Sequence, residues 1–230
     1  MEPRTARIAV VGGGQAGAAL VARLRALGHT GPLTLIGAEP HPPYQRPPLS
    51  KAYLKGEMTA DRLLLRPAAF YADQGITLLT GTPVARIDPA ARSLILADGT
   101  VHGWDLLALT TGSIPRRLPA AIGGDLAGVL AMRGLTDADA LAAVATPGAR
   151  ALVVGGGYIG LEGAAVLRDK GLAVTLIEQA PRLLARVAAP ATADYFRQLH
   201  RAHGVTLLEA TGLARLTGAE LDEICRIAGR

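Results

Sequence analysis

Two stretches of the chain repeat one order of apolar, glycine-rich and amphipathic segments. Arg7–Val11 is a short apolar run that ends in Gly12-Gly13-Gly14-Gln15-Ala16-Gly17. Ala18–Leu27 follows with helical periodicity, Gly28 stops it, and Leu33–Ile36 is apolar again. Further on, Ala151–Val154 runs into Gly155-Gly156-Gly157-Tyr158-Ile159-Gly160, a helical pattern reaches about Lys170, Gly171 ends it, and Ala173–Ile177 is the return run. Each copy predicts strand, tight turn, helix and strand, a right-handed βαβ unit.

Between the copies, His41–Ser50 is too rich in proline for a regular helix. Asp61–Tyr71 predicts a strand and a short helix. Ile76–Thr80, Pro83–Ile87 and Ser93–Leu96 predict strands, with a hairpin turn at Asp98-Gly99. Leu106–Leu109 is an apolar strand leading into Thr110-Thr111-Gly112-Ser113. The Pro/Gly-rich stretch from Gly112 to Gly128 predicts a crossover between domains, and Thr136–Val144 a helix. Strands alternating with helices point to an α/β fold with parallel sheets. The expected organisation is a first dinucleotide-binding domain over 1–112 and a second, partial one over 113–230.

Composition narrows the chemistry. Half of the 230 residues are apolar and 19% are charged, which suits a folded protein. The net charge of +5 comes without a Lys/Arg run interleaved with aromatics, so nucleic acid is not expected and an acidic protein partner is the better fit. Cys225 is the single cysteine, which excludes an internal disulfide, a Cys-rich zinc site and a redox dithiol pair. No apolar run reaches about eighteen residues, so no membrane span is expected. With no signal-peptide pattern at the N-terminus, the cytoplasm is the expected compartment. His200 and His203, one helical turn apart, read as surface histidines rather than metal ligands.

The glycine spacing carries specific chemistry. A helix N-terminus offers unpaired N–H groups at the positive end of its dipole, which suits a pyrophosphate. In Gly12-x-Gly14-x-x-Gly17 the first glycine makes the turn, the second admits the phosphates and the third lets helix and strand close up. Gly155-x-Gly157-x-x-Gly160 repeats this. An acid at the end of the second strand accepts hydrogen bonds from a ribose; Glu178 holds that place in the second copy, and in the first Glu39 reads as the ribose ligand or else as a solvated turn carboxylate. A carboxylate at Glu178 disfavours a 2′-phosphate, so NADH is expected over NADPH.

Pro43-Tyr44-Gln45-Arg46-Pro47-Pro48-Leu49-Ser50-Lys51-Ala52-Tyr53-Leu54 resembles the signature of ferredoxin, rubredoxin and putidaredoxin-type reductases, FAD-dependent flavoproteins of the pyridine nucleotide-disulfide oxidoreductase superfamily. Gly155–Glu162, Thr111-Gly112-Ser113 and Arg182–Val187 resemble the same family, colinearly over about 6–213. The resemblance implies two Rossmann-like three-layer domains of the FAD/NAD(P)-binding fold, the first holding FAD and the second NADH. It places Gly12, Gly14, Gln15, Ala16, Gly17, Glu39, Arg46, Lys51, Val84, Thr111, Gly112 and Arg133 at FAD. Gly155, Gly157, Tyr158, Ile159, Gly160, Glu162 and Glu178 fall at NADH, with Lys51 near flavin N5 and paired with Glu162. Without the resemblance, Lys51 reads as a surface lysine, and Tyr158 and Ile159 as packing residues. Pro42–Lys51 lacks the cysteines of the wider superfamily, so hydride passes from NADH to the flavin and single electrons leave to a ferredoxin-type 2Fe–2S protein or rubredoxin.

Two departures qualify this. Gly37-Ala38-Glu39-Pro40 replaces the family's Gly-Asp-Glu-Pro, and family members are longer. After about Ala214 the resemblance fades, and Leu216–Ala228 reads as an amphipathic helix or unrelated tail. A C-terminally truncated member is therefore expected, with its second domain incomplete, its C-terminal domain absent and FAD retention weak. A non-catalytic remnant, half of a split flavoprotein completed by a separate C-terminal chain, and an apoptosis-inducing-factor-like or nitrite-reductase-like flavoprotein are the alternatives.

Overall fold

The computed structural model describes residues 4–217. In chain order the elements are β1 (Ile8–Val11), α1 (Gln15–Ala26), β2 (Leu33–Ile36), a 3-10 turn (Pro47–Ser50), α2 (Ala52–Lys55), α3 (Ala60–Leu63), α4 (Ala68–Asp73), β3 (Ile76–Leu79), β4 (Val84–Asp88), β5 (Ser93–Leu96), β6 (Val101–Gly103) and β7 (Leu106–Leu109). A short 3-10 turn at Ala120–Ile122 precedes α5 (Leu135–Val144), β8 (Arg150–Val154), α6 (Tyr158–Asp169), β9 (Ala173–Ile177), α7 (Pro190–Ala202) and β10 (Thr206–Leu208). The chain divides into two compact units. One comprises the chain to Gln45 with Thr59–Ser113; the other comprises Arg46–Met58 and the chain from Ile114.

The first unit is built on a parallel sheet of order β3-β2-β1-β7. Side chains alternate across a strand, and both faces of β1 are buried, so its four residues are all apolar. Ile8 and Val10 pack with Leu33, Leu35, Val21 and Tyr71 on the helix side. Ala9 and Val11 pack with Ile36, Leu94 and Leu96 on the other side, beneath the antiparallel sheet β4-β5-β6. Helices, parallel sheet and antiparallel sheet make three layers.

The second unit repeats the plan with order β10-β9-β8, all parallel. Leu161, Ala164 and Leu167 of α6 close on Val174, Leu176 and Leu207. Among the described residues β8 has one strand neighbour, β9, and its last residue Val154 is 46% exposed.

Several expectations are corrected. Helix α1 begins at Gln15 rather than Ala18, because Gly14 takes extended backbone and Gly17 already lies in the first turn. No strand forms within Asp61–Tyr71; the apolar run Leu63-Leu64-Leu65 joins α3 to α4 and makes only an isolated bridge from Leu64 to Tyr44. All but the first two residues of Leu216–Ala228 lie outside the described part. His200 is no surface residue but is 7% exposed, on the inner face of α7. No helix among the described residues is long and apolar enough to cross a membrane.

Burial holds the His200 imidazole below its ordinary pKa, and the charge of His203 adds to the effect. His102 is lowered in the same way by burial and then by Arg7. The unfolded chain therefore binds these protons more readily, so stability is full above the ordinary histidine pKa of about 6.5 and declines as pH falls below it. Thermal melts between pH of about 7.5 and about 5.5 should show that decline, and His200→Gln should flatten it. An unchanged slope in the variant would assign the decline to other groups.

Candidate functional site

Each unit presents a glycine turn at the C-terminal end of its first strand. In the first, Gly12 N–H donates to Ile36 O at 2.8 Å; in the second, Gly155 N–H donates to Ile177 O at 2.9 Å. Both first glycines have positive φ, 117° and 110°, a conformation that favours glycine. The third glycines are forced by contact: a Cβ on Gly17 would lie 2.2 Å from Gly12 O, and one on Gly160 would lie 2.0 Å from Gly155 O. The middle glycines behave differently. Gly14 and Gly157 are in extended backbone, and a Cβ on either would meet no atom within 4 Å. Protein packing does not require glycine at these two positions, which leaves the backbone there open to a close external approach.

Neither α1 nor α6 carries a side-chain cap or an acid in its first turn, an arrangement compatible with an anion. Gln15 and Ala16 lie exposed in the first turn of α1, and Tyr158 and Ile159 are more than half exposed in the first turn of α6. Beside α6, Glu178 is fixed by the backbone: Gly156 N–H donates to its Oε2 at 2.7 Å and Ala180 N–H to its Oε1 at 2.7 Å. A carboxylate has about four lone-pair positions, so about two stay open beyond these bonds. The loop after Pro181 closes this wall. Leu184 takes a left-handed backbone (φ 51°) and sends its N–H to Gly156 O. Glu209 buttresses the loop by accepting from Leu183 N–H at 2.7 Å, and Arg197 holds its carboxyl below the usual range. Pairing of Arg197 with Glu209 and Asp194 raises the guanidinium in turn.

In the first unit Glu39 accepts from the buried Tyr44 hydroxyl. Val84, at the start of β4, packs in the core under the sheet. Thr111 and Gly112 are exposed beyond β7. It is the preceding residue, Thr110, that locks the turn, donating from Oγ1 to Gly12 O at 2.9 Å.

The second unit gathers Arg46, Lys51, Arg133 and Glu162. Arg46 Nη1 donates to Arg133 O at 3.0 Å, and Arg133 Nε is buried with no hydrogen-bond partner among the described residues. Lys51 Nζ contacts Glu162 Oε2 at 2.6 Å and also donates to Pro47 O at 3.1 Å. Ser50 Oγ donates to the same Oε2 at 2.7 Å. Tyr53 OH donates to Asp139 at 2.6 Å, and this bond, with burial and the carboxylate charge, pushes the phenol up to about 12. Lys55 pairs with Asp169 at 2.7 Å. The segment Arg46–Lys55 is thus tied to α5 and α6 by polar contacts along its length. Ser50, Thr110 and Glu209 were not singled out from the sequence. Ser50 and Thr110 had a local signal, lying inside the Pro43–Leu54 and Thr110–Ser113 stretches.

The fold and the two glycine turns define a protein built to hold dinucleotides. The chain belongs to the pyridine nucleotide-disulphide oxidoreductase family, whose pattern matches residues 6–224. It is 46% identical over 213 residues to the 5,5′-dehydrodivanillate O-demethylase ferredoxin reductase subunit of Sphingobium sp., covering 93% of this chain and 52% of that protein. The crystal structure of a covalent putidaredoxin reductase–putidaredoxin complex aligns with TM-score 0.88 and 40% identity, over 92% of this chain and 51% of that one. The NADH-bound water-forming NADH oxidase of Lactobacillus brevis aligns with TM-score 0.85 and 25% identity, over 93% of this chain and 48% of that one. The chain spans about half the length of the curated relatives it matches.

Proposed function

We propose that the chain binds FAD at its first glycine turn and NADH at its second, and serves hydride transfer from NADH to FAD with onward electron transfer to a ferredoxin-type 2Fe–2S protein. The observation that carries this reading is the pair of middle glycines, Gly14 and Gly157, each facing open space at an uncapped helix start. The proposed domains are residues 1–112 for FAD and 113–230 for NADH, with Arg46–Met58 of the first stretch grouping with the second compact unit.

The flavin supplies the conversion of a two-electron donor into single-electron steps. The chain's residues bind and orient. Amides at the starts of α1 and α6 would hold pyrophosphate oxygens. Glu178 accepts from ribose hydroxyls and repels a 2′-phosphate. By the family resemblance Arg46, Lys51 and Arg133 would contact FAD, and the Lys51 ammonium, paired with Glu162, would suit the negative charge of a reduced flavin. The basic balance of +5 suits an acidic iron–sulfur partner. The low cysteine content and the NADH chemistry support a cytoplasmic setting.

The test is an absorbance spectrum of the purified chain after adding FAD and then a nicotinamide nucleotide. With FAD supplied in excess, because retention is expected to be weak, bleaching of the flavin bands by NADH at least about tenfold more readily than by NADPH is the expected result. Failure of the chain to speed FAD reduction by NADH would overturn the reading for this chain. Equal bleaching by NADPH would overturn the role of Glu178.

A further inference from the structure

The contacts on Glu162 divide unequally between fixed and mobile partners. The side chains of Lys51 and Glu162 are 49% and 30% exposed. Exposed ion pairs between long side chains hold geometry weakly, because water screens them and ordering both costs entropy. Ser50 is different. It is 6% exposed, ends the 3-10 turn Pro47–Ser50 and follows Leu49, which is 2% exposed. Two prolines restrict the backbone of that turn. Its hydroxyl is therefore placed by the fold, and its single proton goes to Glu162 Oε2, the same oxygen that takes Lys51 Nζ.

We propose that Ser50 is the positioning residue of the Lys51–Glu162 pair: its hydroxyl fixes the carboxylate, and the Lys51 ammonium follows the carboxylate. The proposal rests on the roles given to Lys51 and Glu162 above and deepens them. Lys51's remaining contact, Pro47 O, belongs to its own turn, so it cannot place the ammonium relative to α6. The Lys55–Asp169 and Tyr53–Asp139 contacts tie the following residues and leave the orientation of Glu162 free.

Competitive acetylation of the folded full chain tests this without any cofactor. The sequence has three lysines, Lys51, Lys55 and Lys170, so Lys170 is an internal reference and Lys55 reports on the rest of the segment. Ser50→Ala should raise labelling of Lys51 relative to Lys170 by roughly threefold and leave Lys55 unchanged. Ser50→Thr keeps the hydroxyl and should return the ratio toward that of the unaltered chain. Glu162→Gln should raise it at least as far as Ser50→Ala. A rise in Glu162→Gln with none in Ser50→Ala would overturn the proposal, as would an equal rise at Lys51 and Lys55, which marks general loosening. No change in either variant would remove the ion pair and the proposal with it. Failure of the FAD and NADH reading shows in the spectrum and leaves these ratios as they are, so the two failures are distinguishable.

Discussion

Gly157→Ala should leave the melting temperature of the chain unchanged while lowering its affinity for NADH by about tenfold or more, an effect of about 1.4 kcal/mol. The backbone at Gly157 (φ −82°, ψ −177°) is open to alanine, and the added Cβ would touch nothing in the protein. The cost falls only on what approaches from outside. Gly160→Ala should do the reverse. Its Cβ would sit 2.0 Å from the backbone oxygen of Gly155, which cannot move without opening the turn. Overpacking of this kind costs about 3 kcal/mol or more. Gly14→Ala and Gly17→Ala should reproduce the contrast in the first unit, with FAD as the ligand. Thermal melts and titration of NADH into each variant separate the cases. An unaltered NADH affinity in Gly157→Ala would mean that no phosphate comes close at that turn, and the assignment of the second unit would fail.

That contrast also marks how far the sequence was legible. The glycine spacing, the strands flanking it and the acid after β9 are local patterns, and each forms where its residues predict. What distinguishes one glycine from its neighbours is contact with distant chain. Gly12 needs Thr110, whose Oγ1 bonds across 98 positions, and Glu162 needs Ser50, across 112. Neither pairing leaves a period or a run in the sequence. Helix α7 was not expected although its residues are strongly amphipathic, with Ala193, Phe196 and His200 turned to the core and a charged outer face. The run Leu63-Leu64-Leu65 misled in the opposite direction: it is apolar because Leu63 closes a core position, not because it pairs as a strand. The parallel α/β class, by contrast, follows from the order of elements alone.

Arg25→Ala should destabilise the chain by about 2–3 kcal/mol, although Arg25 contributes to no ligand site. Its guanidinium fastens the end of α1 to two other segments. Nε donates to Gln74 O at 2.9 Å, Nη2 to Gly75 O at 2.7 Å, and Nη1 to His29 O at 2.7 Å and Gly31 O at 2.9 Å. The second unit has the same fastening at the same distance from its own glycine turn. There Arg168 Nη1 donates to Leu172 O at 2.6 Å, and Nε to His203 O at 3.2 Å. In each unit the arginine takes the carbonyl four residues on and a carbonyl just before the third parallel strand. The repeat therefore extends beyond the nucleotide turns to a residue that only the packing of α1 with β3, or of α6 with β10, requires. Arg25→Lys should recover less than half of the loss, because one ammonium cannot span carbonyls that a planar fork reaches together. Arg168→Ala should cost less than Arg25→Ala, since fewer carbonyls depend on it. Urea unfolding of the three variants measures these differences directly. A loss below about 0.5 kcal/mol in Arg25→Ala would mean that water replaces the guanidinium freely, and that the recurrence of the arginine reflects something other than fastening.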